Sequence, residues 1–199
     1  MRGFHKNSIQ RKIRRARREG LTIEQGHTQM LLNQFYLLLL RTRRRHRLPP
    51  QPRSWFLNLE ACFGDRLKIW VASMDSRPVA SILTLSFGDT LVYKYGCSDE
   101  RFHKLGGMPL LLGTTIEEAQ KDGQHSVDLG RSSLDNPGLI SFKDHLGATR
   151  SQVTYLRWQR RPVRAPNHQW EMRIARQVLA RVPDVMLTSA GNHLYRHIG

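Results

Sequence analysis

Three stretches of the sequence carry side chains able to do chemistry. Around Asp128-Leu129-Gly130-Arg131 an arginine stands just past the end of a short apolar stretch with strand character. In α/β sheets that is where ligands enter, and an arginine there can fork onto phosphate or carboxylate. It can equally close a salt bridge to Asp128 or Asp135. Asp128 itself is either a general base with a raised pKa or a structural carboxylate bonded to backbone or to Arg131. In Tyr93-Lys94-Tyr95 a regular strand turns Lys94 away from both rings. One sheet face then holds two tyrosines and the other a lysine. Either face can line a substrate groove, or the tyrosines simply edge the core. In His103-Lys104-Leu105-Gly106-Gly107 two glycines precede a helix. Backbone N–H groups and the helix dipole can bind phosphate there, with Lys104 adding charge, or the glycines only make a tight turn. Lys143, next to Phe142, reads on residue type alone as a surface lysine of an amphipathic helix.

Other chemistries find less support. Cys62 and Cys97 are the two cysteines and form no CxxC pair. A reducing, cytoplasmic location is the expectation, and Cys97 has no neighbouring base to activate it. His193 and His197 stand four residues apart without a third ligand or a His-Glu-x-x-His pattern, so no metal is expected. The formal net charge of +16 over 199 residues predicts attraction to polyanions: nucleic acid, anionic lipid or phosphorylated substrates. The apolar run Met30 to Leu40 is about half the length of a membrane span, so no transmembrane segment is expected.

The elements that must hold these residues follow from periodicity. Lys6 to Glu19 reads as a helix with a thin apolar stripe (Ile9, Ile13) and Gly20 behind it. Thr28 to His46 is a second, with Leu31, Leu32, Phe35, Leu38 and Leu39 at helical spacing and a basic C-terminal end. Pro49, Pro50 and Pro52 break the chain before a short helix at Trp55 to Cys62. Leu67 to Met74, Val79 to Phe87 and Leu91 to Gly96 read as an antiparallel meander. A helix over Pro109 to Asp122, a strand over Ser126 to Gly130, a helix over Pro137 to Leu146 and a strand over Ser151 to Trp158 follow. Beyond an Arg- and Pro-rich linker at Arg160 to Pro166, a tail helix around Trp170 to Leu179 and a short helix at Val185 to Ile198 complete the reading. The fold class is α+β, a mixed central sheet flanked by helices, with a β–α–β step from Leu91 to Gly130 expected as a parallel crossover.

Four pieces occur in order: Arg11 to Gly20; Phe35-Tyr36 leading to Arg41-Thr42-Arg43-Arg44; Tyr93-Lys94-Tyr95-Gly96 with Ser98-Asp99; and Asp128-Leu129-Gly130-Arg131-Ser132 with Gly138-Leu139 and Phe142-Lys143. The set resembles the Fem-type, or BioF2-like, acetyltransferase domain of the GNAT superfamily over Lys6 to Trp158. The resemblance implies a GNAT-like fold and an acyl- or aminoacyltransferase that forms an amide on an amine acceptor, related to peptidoglycan or the cell envelope. It implies that Phe142-Lys143 sits at the reaction centre, with the lysine stabilising the oxyanion of the tetrahedral intermediate. It also implies a second half of a two-half protein, either a part of a longer chain or a shortened relative without the first GNAT half. The acyl donor is aminoacyl-tRNA or acetyl-CoA. GNAT proteins cradle pyrophosphate with Arg/Gln-x-x-Gly-x-Gly/Ala, from which His103-x-x-Gly106-Gly107 departs in its first residue and its glycine spacing; that departure argues against standard acetyl-CoA binding.

Three regions follow: a basic helical arm (1–48), a GNAT-like core (49–159) and a linker with C-terminal helices (160–199). The basic runs Arg11 to Arg18 and Arg41 to Arg47 are expected to contact tRNA or a diphosphate-linked precursor, or to be solvated helix faces. The competing reading is a non-catalytic module on a decayed GNAT fold, binding nucleic acid or an anionic surface.

Overall fold

The computed structural model describes residues 3–156, 158 and 184–195. A π-helical turn at Lys6–Gln10 runs into α1 (Arg11–Arg18). Then come β1 (Thr22–Gly26), α2 (Gln29–Arg45), α3 (Arg53–Phe63), β2 (Leu67–Met74), β3 (Arg77–Phe87) and β4 (Thr90–Ser98). A 3-10 turn at Glu100–Leu105 leads to α4 (Gly107–Lys121), β5 (Ser126–Asp128), α5 (Pro137–His145) and, after a gap in the described residues, α6 (Asp184–Leu194).

One five-stranded sheet runs in the order β1-β2-β3-β4-β5. Neighbours are antiparallel except β4 and β5, which are parallel, as the crossover predicts. The α+β mixed sheet is thus present. The β2–β3 hairpin turns through Asp75 and Ser76, both at positive φ (48° and 62°), the turn whose twist matches the strands.

Both faces are covered. On one, Ile9, Ile13 and Ala16 of the first helical segment and Leu110, Leu111 and Leu112 of α4 pack on Trp70, Ala72 and Ile82. On the other, Leu31, Leu32, Phe35, Leu38 and Leu39 of α2 and Phe56 of α3 pack on Leu67, Ile69, Val71, Leu83 and Leu85. The alternation along β2 sends successive residues to opposite cores, and each fully buried Ile or Leu contributes about 1.5–3 kcal/mol. Thr28 caps α2 by accepting a hydrogen bond from the Leu31 N–H (3.3 Å).

Of the segment 1–48 expected as an arm, residues 3–48 supply a helix to one face, an edge strand to the sheet and α2 to the other face. Strand β1 was not expected from the sequence. Its only large apolar residue is Ile23, and it is held by ladder pairing to β2, from Thr22↔Ser73 to Gly26↔Ile69. Residues 151–156, expected as a strand, pair with nothing in the sheet. Val153, Tyr155 and Leu156 are exposed there, so the alternation has no core face to bury. The linker at 160–166 and the helix around Trp170 to Leu179 lie outside the described residues. Asp184–Leu194 overlaps the helix expected at Val185 to Ile198 and starts one residue earlier.

Candidate functional site

Strand β4 is paired along its whole length to β3, but to β5 only over Thr90–Val92. From Tyr93 onward its other edge has no strand partner among the described residues. The register on the β3 side explains the geometry at this point: Leu83 pairs with Tyr95 and Thr84 with Tyr93, so Lys94 is an extra residue in a bulge. This corrects the expectation of two tyrosines on one face. Tyr93 packs into the α1/α4 core and Tyr95 into the α2/α3 core, while Lys94 is exposed. Burial pushes the Tyr93 phenol well above the ordinary tyrosine range. Gly96 makes room for that phenol, since a Cβ there would lie 1.8 Å from Tyr93 Oη. Tyr95 is held by the rings of Phe56 (5.2 Å) and Phe35 (6.4 Å) and accepts a hydrogen bond from Trp55 Nε1 (3.0 Å).

Helix α5 reaches the end of β5 through the Lys143 side chain. Asn136 caps this helix by accepting from the Leu139 N–H, and Pro137 fits its first turn. Its last turn then carries Phe142, packed against the α1/α4 core, and Lys143. Lys143 Nζ donates to the carbonyls of Gly130 (2.7 Å) and Arg131 (3.2 Å). An ammonium has three protons, so one remains for a ligand. Burial lowers the Lys143 pKa, and the nearby Asp128 charge opposes that shift. Asp128 is exposed and accepts the Gly130 N–H at 2.6 Å, which is the backbone-bonding alternative of its two readings. Arg131 pairs with neither Asp128 nor Asp135 among the described residues. Its guanidinium donates to the Tyr155 hydroxyl and lies over the Tyr155 ring at 5.6 Å. Ser132 Oγ, next in the chain, is buried without a hydrogen-bond partner.

The third constellation lies at the start of α4. Gly106 is left-handed (φ 81°), and a Cβ there would come within 2.7 Å of the Lys12 carbonyl of α1. The glycine is therefore required by helix approach, whatever else it binds. No side chain caps α4, so its first N–H groups remain for a ligand or water. Beside it a groove of about 720 Å³ is lined by Arg11, Lys12, Arg14, Arg15, Arg18, His103 and Lys104, with no acid among the described residues. Lys104, Gly106 and Gly107 thus stand with α1, not with the second basic run. The arginines of α2 are tied down instead. Arg41 pairs with buried Asp99 (2.9 Å), and Arg45 donates to the Ser98 carbonyl (3.2 Å). His103 Nε2 bonds Ser98 Oγ (2.9 Å), and burial and Arg45 lower its pKa, which favours the neutral ring.

Asp99, quoted in the sequence only as part of the family resemblance and given no role there, supports the site. It accepts from Arg41 and from Arg101 Nε and Nη2, caps the turn that leads to α4, and sits at a pKa of about 2, held down chiefly by the Arg101 hydrogen bonds. Its signal was an acid at the junction between a strand end and a helix start, with Arg101 two residues on. Cys97 is buried against the Phe35 and Ser81 carbonyls, and burial raises its thiol pKa, which leaves it unsuited to nucleophilic work. Among the described residues no group of three or more His, Cys, Asp or Glu could hold a metal, and His197 lies outside them. No described helix is long and apolar enough to cross a membrane.

Comparison with known proteins agrees with the fold. A family model described as an acetyltransferase (GNAT) domain matches residues 3–143, beginning within the segment expected as an arm. The UDP-N-acetylmuramoylpentapeptide-lysine N(6)-alanyltransferase of Weissella viridescens is 26% identical over 88 residues, 44% of this chain and 26% of that protein. The chain thus matches about a quarter of that relative's length. Among solved structures, FemX superposes with a TM-score of 0.65 at 15% identity, covering 73% of this chain and 54% of FemX. The ribosomal-protein-S18-alanine N-acetyltransferase of Escherichia coli gives 0.57 at 18% identity, with coverages of 66% and 79%. With its matched stretch spanning all five strands and reaching Lys143, the chain belongs to the GNAT acetyltransferase-domain family.

Proposed function

We propose that this protein transfers an acyl or aminoacyl group from a phosphate-bearing donor to an amine, forming an amide, and that the donor is aminoacyl-tRNA. The observation that carries this reading is the cationic groove between α1 and the turn before α4. It holds more cationic side chains than one pyrophosphate can use, and they continue along α1. RNA phosphates fit such a surface, with affinity that falls steeply in salt. The acceptor is a primary amine of a cell-envelope precursor, in keeping with the lysine amine named for the Weissella relative.

In this reading the donor's acyl group enters the β4–β5 opening. The amine nitrogen attacks the acyl carbon, the C–O bond to the ribose breaks, and one proton passes from amine to leaving hydroxyl. Lys143, fixed by two carbonyls, directs its remaining N–H at the developing oxyanion. Asp128 acts on the lysine by keeping it charged against burial. Arg131 binds an anionic group of a substrate once Tyr155 is displaced. Lys94 and Tyr95 border the acceptor side and Tyr93 the donor side.

Titrating the protein with a tRNA acceptor stem and with acetyl-CoA, and assaying transfer, tests this. Salt-sensitive RNA binding is expected, with Lys143→Ala lowering turnover about 100-fold or more while donor binding persists. Saturable acetyl-CoA binding lost in Lys104→Ala, without RNA binding, would replace the donor. RNA binding without any transfer would leave only a binding module, and transfer unchanged in Lys143→Ala would remove the lysine from the reaction.

A further inference from the structure

A second cavity lies on the opposite face of the sheet from the basic groove. It has about 400 Å³ and is lined by Pro52, Ser54, Trp55, Asn58, Asn192 and Tyr195. Its chemistry differs from the rest of the molecule. Among the described residues no lysine, arginine or acid lines this pocket. What it offers is one indole, one phenol, two carboxamides and a hydroxyl. The volume falls in the range of small-molecule sites, and the pairing of apolar ring faces with a few polar groups is the usual make-up of one. Phosphate and carboxylate find no cation among the described residues there. A purely apolar ligand would strand the amides. The ligand that satisfies both sets is neutral, rich in hydroxyls and apolar on one face.

The walls are built, not incidental. Trp55 spends its only donor on Tyr95 Oη (3.0 Å), so its indole is fixed and its remaining contacts are those of the ring. Tyr95 is in turn locked by Phe56 and Phe35. The other wall comes from α6, far along the chain. Gly191 seats it: a Cβ there would come within 2.2 Å of the Pro50 carbonyl, so glycine alone allows the approach that sets Asn192 and Tyr195 opposite Trp55 and Asn58.

We propose that this pocket binds one uncharged pyranose ring, its C–H face on Trp55 and its hydroxyls on Asn58 and Asn192. Carboxamides offer donor and acceptor together, which matches adjacent hydroxyls. Tyr95 links the pocket to the unpaired edge of β4, so a sugar held here belongs to the acceptor; that last step rests on the transferase reading, whereas the binding itself does not.

The test is titration of the protein, with indole 15N labelled, by N-acetylglucosamine and by glucose. The Trp55 Nε1–H resonance is expected to shift with roughly millimolar affinity, the scale for a ligand of this size. Read on the sugar's own resonances, since two of these variants lack the Trp55 indole, Trp55→Ala is expected to weaken binding about tenfold and Asn58→Ala about threefold, with Trp55→Phe retaining most of it. Trp158→Ala and added inorganic phosphate are expected to change nothing. Lys143→Ala is expected to abolish transfer and leave sugar binding intact, which separates the two proposals. A Trp55 resonance that stays put to the solubility limit of both sugars would overturn the inference. So would affinity unchanged in both Trp55→Ala and Asn58→Ala.

Discussion

The two basic helix segments look alike as sequence and do opposite work. In α2 the cations face inward to the chain. Arg41 pairs with Asp99, Arg43 donates to Gln51 (2.9 Å), and Arg45 reaches the Ser98 carbonyl. Thr42 both donates to and accepts from the Ser98 backbone. They fasten the end of β4 to α2 and so fix the turn that starts α4. In α1 the cations face outward. Arg15 and Arg18 make only long contacts to Glu19 (3.6 Å each), Arg17 reaches Glu117 at 3.8 Å, and the groove side is all positive. Density of charge in a sequence therefore does not mark a binding surface; the presence of local acids and carbonyls within reach decides which arginines remain for a ligand.

The sharpest way to break this comparison is to reverse charge in α1. Arg11, Arg14 and Arg15 changed together to Glu are expected to lower RNA affinity by two to three orders of magnitude at low salt. The slope of log affinity against log salt should fall by about three, with the melting temperature nearly unchanged. A loss of folding instead would place α1 in the structural class with α2. Next in size, Arg41→Ala is expected to cost about 2–4 kcal/mol in denaturant unfolding, because it strips one partner from buried Asp99. RNA affinity of the folded variant should change severalfold at most. The smallest effect is in pH. The folded pKa of Asp99, about 2, lies below its ordinary value of 3.8, so the carboxylate contributes stability above pH ~4 that is lost as pH falls toward 2. Asp99→Asn should remove roughly 1–2 kcal/mol of that acid dependence. An acid limb unaltered in Asp99→Asn would show that α2 is fastened by other bonds.

How much of this was readable in advance varies by residue. The meander, α2, α4 and α5 announce themselves because each carries a run of apolar residues at one period. Strand β1 does not: its ladder is made by backbone groups, and Thr22 and Ile23 between Gly20 and Gly26 are a faint side-chain signal. The sides taken by Tyr93 and Tyr95 were misread for a related reason. Alternation is a property of one strand, whereas the bulge at Lys94 exists only in the pairing with β3. Lys143 could be placed on a helix from its sequence, but its bonds to Gly130 and Arg131 depend on where α5 docks. Gly106 was legible as a glycine at a helix start and illegible as the point where α1 touches α4.

The edge position of β1 has a consequence in time. Strands β2, β3 and β4 are joined by tight turns and close over short loops, but Gly26 must find Ile69 across all of α2 and α3. Such a contact carries a larger loop-closure cost and forms after the local hairpins. Because α1 is tethered directly to β1, the basic groove is completed only when that edge zips up. During synthesis and refolding the chain therefore passes through a stage with a formed meander and an unformed polyanion site. Amide hydrogens of Thr22–Gly26 should accordingly exchange sooner than those of β3, through an opening that frees α1 without melting the sheet.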